Sequence, residues 1–79
     1  MTPSAELVDY LARRLVEHDD QVSVEEVEED GDLVIRLHVA PDDLGRVIGR
    51  GGRIARALRT LVRAGGAHGN RRVLLEIVE

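Results

Sequence analysis

The stretch VIGRGGRI at residues 47–54 decides how this chain folds, because it places three glycines between two apolar segments. Glycine destabilises a helix when it lies in the interior, and it tolerates backbone angles that other residues avoid. We therefore expect one helix to end at these glycines and a second helix to begin just after them. The first would start at residues 41–43, where Pro and two acids suit a helix N-terminus. The second would run from about residue 53 to 64 and end at the glycine pair 65–66.

The residues before this stretch predict one helix followed by a hairpin. Apolar side chains recur at helical spacing from residue 3 to about residue 18, and Pro3 sits at the first helical position, where its missing N–H costs nothing. An Asp-Gly turn at residues 29–32 then joins two strands. The second strand, residues 33–39, alternates regularly between apolar and polar. The first slips at Glu26-Val27, which suggests a bulge or an early strand end.

The residues after the stretch complete the order of elements. We expect a loop at residues 67–70 and a last strand at residues 71–78, where apolar and polar residues alternate again. The predicted order is α-β-β-α-α-β. The length suits a single domain spanning residues 1–79.

Charge is distributed unevenly along the chain. The net charge is −4, but residues 46–72 contain eight arginines and no acid, whereas residues 1–45 carry a net charge of −10. Positive charge therefore surrounds the glycine loop (residues 49–52). The loop exposes backbone, and the following helix points its free amides and positive dipole end toward it, so the loop suits an anion. We infer a phosphate-bearing ligand, and RNA fits this pattern best.

Other glycine motifs fit these residues less well. A P-loop requires Lys followed by Ser or Thr, and this chain has no lysine. The dinucleotide-binding fingerprint requires a preceding strand, and it has a third glycine where this chain has Ile54. Neither of these phosphate-binding motifs therefore accounts for the loop.

The predicted helix after the loop separates apolar residues from arginines. Its apolar side comprises Ile54, Leu58, Leu61 and Val62, and its opposite side comprises Arg53, Arg56, Arg59 and Arg63. An amphipathic helix needs a polar face whatever its function, so Arg59 and Arg63, which lie farthest from the loop, are interpreted first as a solvated face. Arg50 and Arg53 are the preferred contacts for a ligand.

Composition excludes several classes of protein. The chain has no cysteine, which excludes disulfides, thiolate metal sites and cysteine nucleophiles. The three histidines have no spacing that suits a metal, and no Ser or Thr has an evident base nearby. We therefore expect no enzyme activity, no cofactor and no metal. No apolar run approaches the length of a membrane span, and the N-terminus lacks a signal-peptide pattern, which predicts a cytoplasmic protein.

VIGRGGRI resembles the V-I-G-x-x-G-x-x-I signature of KH domains, in which Gly-x-x-G joins two helices. The α-β-β-α-α-β order is similar to the type II, or prokaryotic, KH arrangement. This resemblance implies an α+β fold, with a three-stranded sheet packed on one side by three helices. The resemblance covers essentially the whole chain. It extends to the small bacterial single-domain KH proteins of the KhpA type, which share the run VAPDDLGRVIG at residues 39–49.

The resemblance implies binding of single-stranded RNA. In KH domains the Gly-x-x-G loop clamps the backbone of about four nucleotides, and the bases lie in an aliphatic groove. Carried onto this chain, the loop consists of Gly49, Arg50, Gly51 and Gly52. The surrounding residues implied to bind RNA are Arg46, Val47, Ile48, Arg53, Ile54 and Arg56, together with part of the strand at residues 33–39.

The resemblance also implies partners and a cellular role. Proteins of this type are regarded as RNA chaperones that form homodimers or pair with a larger KH protein, and they are linked to cell-wall biogenesis and cell shape. A single four-nucleotide site should bind weakly, so a second module is expected. The alternative is a KH-fold module for protein interaction or dimerisation with little RNA affinity of its own. The acidic residues 25–32 would either overhang the groove and repel RNA or form a solvated edge.

Overall fold

The computed structural model describes residues 1–65 and 72–78, apart from the side chain of Arg50. The elements are α1 (Pro3–Leu15), β1 (Ser23–Glu29), β2 (Asp32–His38), α2 (Pro41–Ile48), α3 (Arg53–Gly65) and β3 (Val73–Ile77), with 3₁₀ turns at Asp19–Gln21 and Arg50–Gly52. This order confirms the predicted α+β arrangement. The loop predicted at residues 67–70 and the predicted strand start at residue 71 lie outside the described residues. Within the described part of the chain, no helix is long and apolar enough to cross a membrane.

The sheet has β2 at its centre, with β1 antiparallel on one side and β3 parallel on the other. The hairpin between β1 and β2 turns through Asp30 and Gly31, whose φ angles are 51° and 84°. Two consecutive positive φ angles match the twist of a two-residue hairpin, as the Asp-Gly pair predicts. Because β2 is central, β3 lies at one edge of the sheet and the acidic β1 lies at the other.

The bulge or early end suggested for the first strand is wrong, because β1 and β2 pair without interruption from Ser23 opposite His38 to Glu29 opposite Asp32. The irregular pattern has a different cause. Glu26 is opposite Ile35, a fully buried residue, so an acid occupies a position on the inner face of the sheet. Its carboxylate accepts the backbone N–H of Thr2, so Glu26 holds the chain just before α1.

Helix α1 begins where the sequence predicts and ends earlier. The Thr2 hydroxyl accepts the N–H of Ala5 at 3.2 Å, which caps the helix beside Pro3 at its first position. The predicted end near residue 18 is wrong, since α1 ends at Leu15. The N–H of Val16 still donates to the Ala12 carbonyl at 3.2 Å, and the amides of Glu17 and His18 then donate to the carboxylate of Asp43 instead of continuing the helical ladder.

The core lies between the sheet and two helices, with α1 packed on β1 and β2 and α3 packed on β3. The most deeply buried side chains of this core come from α1, β2 and α3, and they are Ala5, Val8, Ala12, Ile35, Leu37, Leu58 and Val62. The apolar side of α3 is not buried along its whole width. Leu61 is 42% exposed, whereas Ala55 is buried. The 100° spacing gives the direction of a side chain but not the width of the surface that covers it.

We expect Leu58→Ala to lower the free energy of unfolding by about 2–4 kcal/mol, because it leaves a cavity where a side chain of 2% exposure packs. The matched control is Leu61→Ala on the same helix, which should cost less than about 1 kcal/mol. Urea denaturation followed by circular dichroism measures both. Equal losses in the two variants would contradict this placement of the core.

Candidate nucleic-acid interface

The glycine loop turns the chain from α2 into α3 through four residues. α2 ends with the N–H of Gly49 donating to the carbonyl of Gly45 at 2.7 Å, and Gly49 itself is extended. Gly51 and Gly52 then take φ angles of 72° and 73°, and the N–H of Gly52 donates to the Gly49 carbonyl at 2.9 Å. Helix α3 begins at the next residue, so the joint contains backbone and almost no side-chain bulk.

The glycines of this loop are required for two different reasons. At Gly51 and Gly52 the left-handed backbone costs an L-residue about 1–2 kcal/mol. At Gly49 the backbone angles are ordinary, but an added Cβ would collide with the carbonyl oxygen of Gly45. A side chain at Gly51 or Gly52 would therefore strain the backbone of the loop. A side chain at Gly49 would displace the end of α2.

The backbone amides at the start of α3 are the candidate donors for an anion. The N–H groups of Gly49 and Gly52 donate within the joint, to the carbonyls of Gly45 and Gly49. The amides of the first turn of α3, which follows the 3₁₀ turn Arg50–Gly52, lack α-helical partners and can donate to an anion. The first turn of α3 carries no acid, and the 13-residue helix directs its positive dipole end at the loop.

The predicted contact Arg46 is already paired in this structure. Its Nη2 donates to the Glu17 carboxylate at 2.7 Å, and its Nε lies 3.9 Å from Asp43. The side chain is 49% exposed, so a phosphate has access to it but competes with Glu17. Surface ion pairs of this kind contribute only about 0–1 kcal/mol, so the competition is weak.

Arg56 is an exposed residue of α3 that hydrogen-bonds to the loop. Its Nη2 donates to the carbonyl oxygen of Gly51, which lies five residues earlier in the chain. This bond occupies the carbonyl of Gly51, whose partial negative charge would otherwise repel an anion at the loop. Arg56 therefore holds the loop and adds positive charge beside it.

The other predicted arginines divide into two groups. Arg53, Arg59 and Arg63 are exposed and form no hydrogen bond or ion pair with the described residues. The side chain of Arg50 lies outside the described part of the chain, so its contact with a ligand stays a prediction. Arg53 sits at the first position of α3, next to the loop amides.

The predicted apolar contacts differ in accessibility. Val47 is 2% exposed and lies on the buried side of α2, so it offers no surface to a ligand in this structure. Ile48 is 39% exposed at the end of α2. Ile54 lines an open cavity of about 530 Å³ with Leu15 and the loop's Gly49. Of the three, Ile48 and Ile54 can therefore meet a base.

A second crevice runs between α3 and the edge of the sheet. It measures about 110 Å³ and is lined by Arg59, Arg63, Val73, Leu74 and Leu75. The strand that lines this crevice beside α3 is β3. The inward side chains of the strand at residues 33–39 are buried, and contact of that strand with RNA stays a prediction. Sequence reasoning missed this crevice, because the spacing of Arg59 and Arg63 does not show that β3 occupies the neighbouring edge.

The acidic hairpin lies away from this crevice. β1 occupies the opposite edge of the sheet from β3. Its acids are engaged locally, since Glu29 pairs with Arg36 at 2.7 Å and Glu25 with His38 at 3.1 Å. This placement favours the interpretation of residues 25–32 as a solvated edge.

Asp43 is a buried acid that sequence reasoning placed only at a helix N-terminus. It is 1% exposed, and its two oxygens accept the backbone N–H groups of Glu17 and His18 at 3.1 and 3.0 Å. Burial raises the pKa of this carboxyl. The two backbone bonds and the nearby charges of His18 and Arg46 outweigh burial and hold the pKa below its ordinary value of 3.8. Asp43 is therefore ionised at neutral pH.

A three-stranded sheet, covered by helices and completed by a helix–Gly-x-x-G–helix joint, defines the KH class of domain. The chain belongs to the KhpA/KhpB KH-domain family, whose family model matches residues 5–77.

Individual relatives agree with this family. The chain is 47% identical over 79 residues to a protein of Aquifex aeolicus, covering 100% of both chains. It is also 47% identical over 73 residues to a protein of Caldanaerobacter subterraneus subsp. tengcongensis, covering 92% of this chain and 97% of that one. Both relatives carry the name RNA-binding protein KhpA.

We expect Gly52→Ala to destabilise the protein by about 1–2 kcal/mol, because alanine must adopt a φ of 73° although no described atom lies within 4 Å of the new Cβ. The matched control is Gly45→Ala inside α2, where the same methyl also meets open space among the described residues and φ is not positive. That change should stabilise the protein by up to about 1 kcal/mol. Thermal unfolding measures both, and an unchanged Tm for Gly52→Ala would rule out the left-handed loop.

Proposed function

We propose that this protein binds single-stranded RNA, with the glycine loop gripping the sugar-phosphate backbone. The observation that carries the proposal is the joint between α2 and α3, where Gly51 and Gly52 take left-handed angles and the first turn of α3 brings its backbone amides to the loop. The joint lies in a stretch, residues 46–72, that contains eight arginines and no acid. The names of the relatives, RNA-binding protein KhpA, support the same ligand.

Bases would lie on aliphatic surface in this protein. Tyr10 is its only aromatic residue, and it is on α1, remote in sequence from the loop. RNA-binding sheets that stack bases use several aromatic residues, so a stacking platform does not fit. Exposed apolar surface beside the loop comes from Ile48, and the crevice between α3 and β3 adds Leu74 beside Arg59 and Arg63. The proposed path of the RNA runs from the loop along α3 to this crevice.

A second module is part of this proposal. One loop contacting about four nucleotides gives low affinity, and linking two sites raises the effective concentration. The partner would be a second copy of this chain or a larger KH protein. Exposed leucines on the helices suit such pairing, since Leu7, Leu15 and Leu61 are 38%, 42% and 42% exposed. The role that follows is that of a cytoplasmic RNA chaperone acting after transcription.

The central test replaces an arginine and a glycine of the loop with acids in one variant. We expect Arg50→Asp combined with Gly51→Asp to weaken binding of a single-stranded RNA oligonucleotide by about tenfold or more, because two carboxylates repel phosphate at the loop. Fluorescence anisotropy at low salt measures the affinity, and circular dichroism checks the fold. A folded variant that binds RNA like the parent would show that the loop is not the site.

The matched control for this variant is Arg14→Asp combined with Gly31→Asp. It makes the same change in charge and also places Asp at a glycine of positive φ, 84° at Gly31. Both positions lie outside the acid-free stretch. The control should bind RNA more tightly than the loop variant, because its two acids lie outside the loop that the proposal assigns to phosphate.

The crevice beside β3 gives a second test. If RNA follows α3, Arg59→Gln combined with Arg63→Gln should weaken binding several-fold. It should also reduce the slope of log K against log salt by about 1.4, at about 0.7 for each phosphate contact on a single strand. Arg14→Gln, which removes an arginine from α1, should leave the slope unchanged. An unaltered slope in the double variant would limit the RNA path to the loop.

The same salt titration separates RNA binding from the alternative, a KH module for protein interaction. Phosphate contacts require that affinity fall steeply as salt rises. The parent protein showing no RNA binding at low salt, while forming a stable protein complex, would favour the alternative.

A further inference from the structure

Two adjacent acids at the start of α2 have opposite environments. The side chain of Asp42 is 89% exposed, whereas Asp43 is 1% exposed as a residue. A carboxylate is almost never fully buried unless it is hydrogen-bonded or paired. Asp43 meets that requirement through backbone, since its Oδ1 accepts the N–H of Glu17 and its Oδ2 accepts the N–H of His18.

These two bonds connect the exit of α1 to the start of α2. Residues 17 and 18 follow α1, whose buried side chains anchor it to the sheet. α2 has only eight residues, too short to hold a helix by itself. One turn beyond Asp43, the buried Val47 lies on the same side of α2. The carboxylate and this valine therefore hold one side of α2 against the rest of the fold, while α2 also packs against α3.

The orientation of α2 determines where the glycine loop begins. At about 1.5 Å per residue, only about 8 Å of helix separates Asp43 from Ile48. Gly49 is bonded back to α2 through the carbonyl of Gly45, and Gly52 is bonded to Gly49. A change of tilt at Asp43 is therefore transmitted through a short, continuous set of hydrogen bonds to the loop.

We infer that Asp43 is a positioning residue for RNA binding, and that its buried carboxylate acts through α2 to orient the glycine loop. This inference rests on the proposed function, in that the loop must be the site that grips RNA. Asp43 itself is buried and touches no RNA.

Electrostatics opposes this role and makes it testable. An acid near a phosphate site weakens binding by repulsion. Arg46, whose Nε lies 3.9 Å from Asp43, offsets part of that charge, and so does His18 when protonated. Removing either Asp42 or Asp43 removes one negative charge at the same end of α2. Only the loss of Asp43 also removes the contact that orients the helix.

The experiment compares Asp43→Asn with Asp42→Asn in the full chain, using a single-stranded RNA oligonucleotide as the probe. Asparagine has the size of aspartate but one acceptor oxygen, so one of the two backbone amides loses its partner. We expect Asp43→Asn to bind RNA roughly three- to tenfold more weakly, the usual range for losing a positioning contact. Asp42 lines the same cavity as Gly49 and Ile54, so Asp42→Asn removes a negative charge there and should bind RNA more tightly than the parent. Tighter binding by both variants, or equal losses in both, would overturn the inference.

Amide chemical shifts give a readout that does not depend on RNA. In ¹H–¹⁵N spectra without RNA, Asp43→Asn should shift the loop amides of Gly51 and Gly52, and Asp42→Asn should leave them in place. Unmoved loop amides in a folded Asp43→Asn protein would overturn the inference. If the parent protein binds no RNA, the proposed function fails, while these shifts still decide whether Asp43 orients the loop.

A loss of folding is also decisive. Circular dichroism establishes whether Asp43→Asn is folded at the temperature of the binding measurement. Should it unfold, Asp43→Ser provides a smaller side chain that still accepts one amide. If neither variant folds, Asp43 supports the whole fold and is not a residue specific to the loop.

Discussion

The left-handed backbone at Gly51 and Gly52 is the constraint on which the rest of this structure depends. Two consecutive positive φ angles let α2 stop and α3 start within four residues. Only glycine takes these angles without an energetic cost of about 1–2 kcal/mol per residue. The same absence of side chains that permits the turn also leaves the amides open. Fold and binding surface therefore have one cause at this joint.

The electrostatics of the arginine-rich stretch is less uniform than its composition indicates. Arg46 pairs with Glu17, and Arg56 donates to the carbonyl of Gly51. Arg72 pairs with Asp32 of β2, and the hydrogen bond and charge of Asp32 raise the pKa of Arg72. Arg53, Arg59 and Arg63 form no bond with the described residues. The field near the loop thus comes from many arginines, but the cations ready to contact a phosphate directly are fewer and lie along α3.

Local signals in the sequence predicted the elements, and they failed where a residue's role depends on a distant partner. The glycines, the Asp-Gly turn and Pro3 each act through backbone angles, so their effects are visible locally. Glu26 broke the alternation of β1 because it meets Thr2 from across the fold. Asp43 looked like an ordinary helix-start acid because its two partners lie 25 and 26 positions away. The crevice beside β3 was missed for the same reason, since strand order is not a local property.

Geometry and charge have opposite effects where an acid is buried near the loop that we propose binds phosphate. Asp43 stays ionised, so it lowers the local positive potential that the arginines create. Attraction of phosphate to this part of the surface depends on the local charge, and the eight arginines in residues 46–72 make that charge positive although the whole chain carries −4. Hydrogen bonds from backbone amides need donors placed to within a few tenths of an ångström, because such bonds weaken steeply with angle and distance. One negative charge is therefore a small loss to the field, and a fixed α2 is the larger gain for the loop.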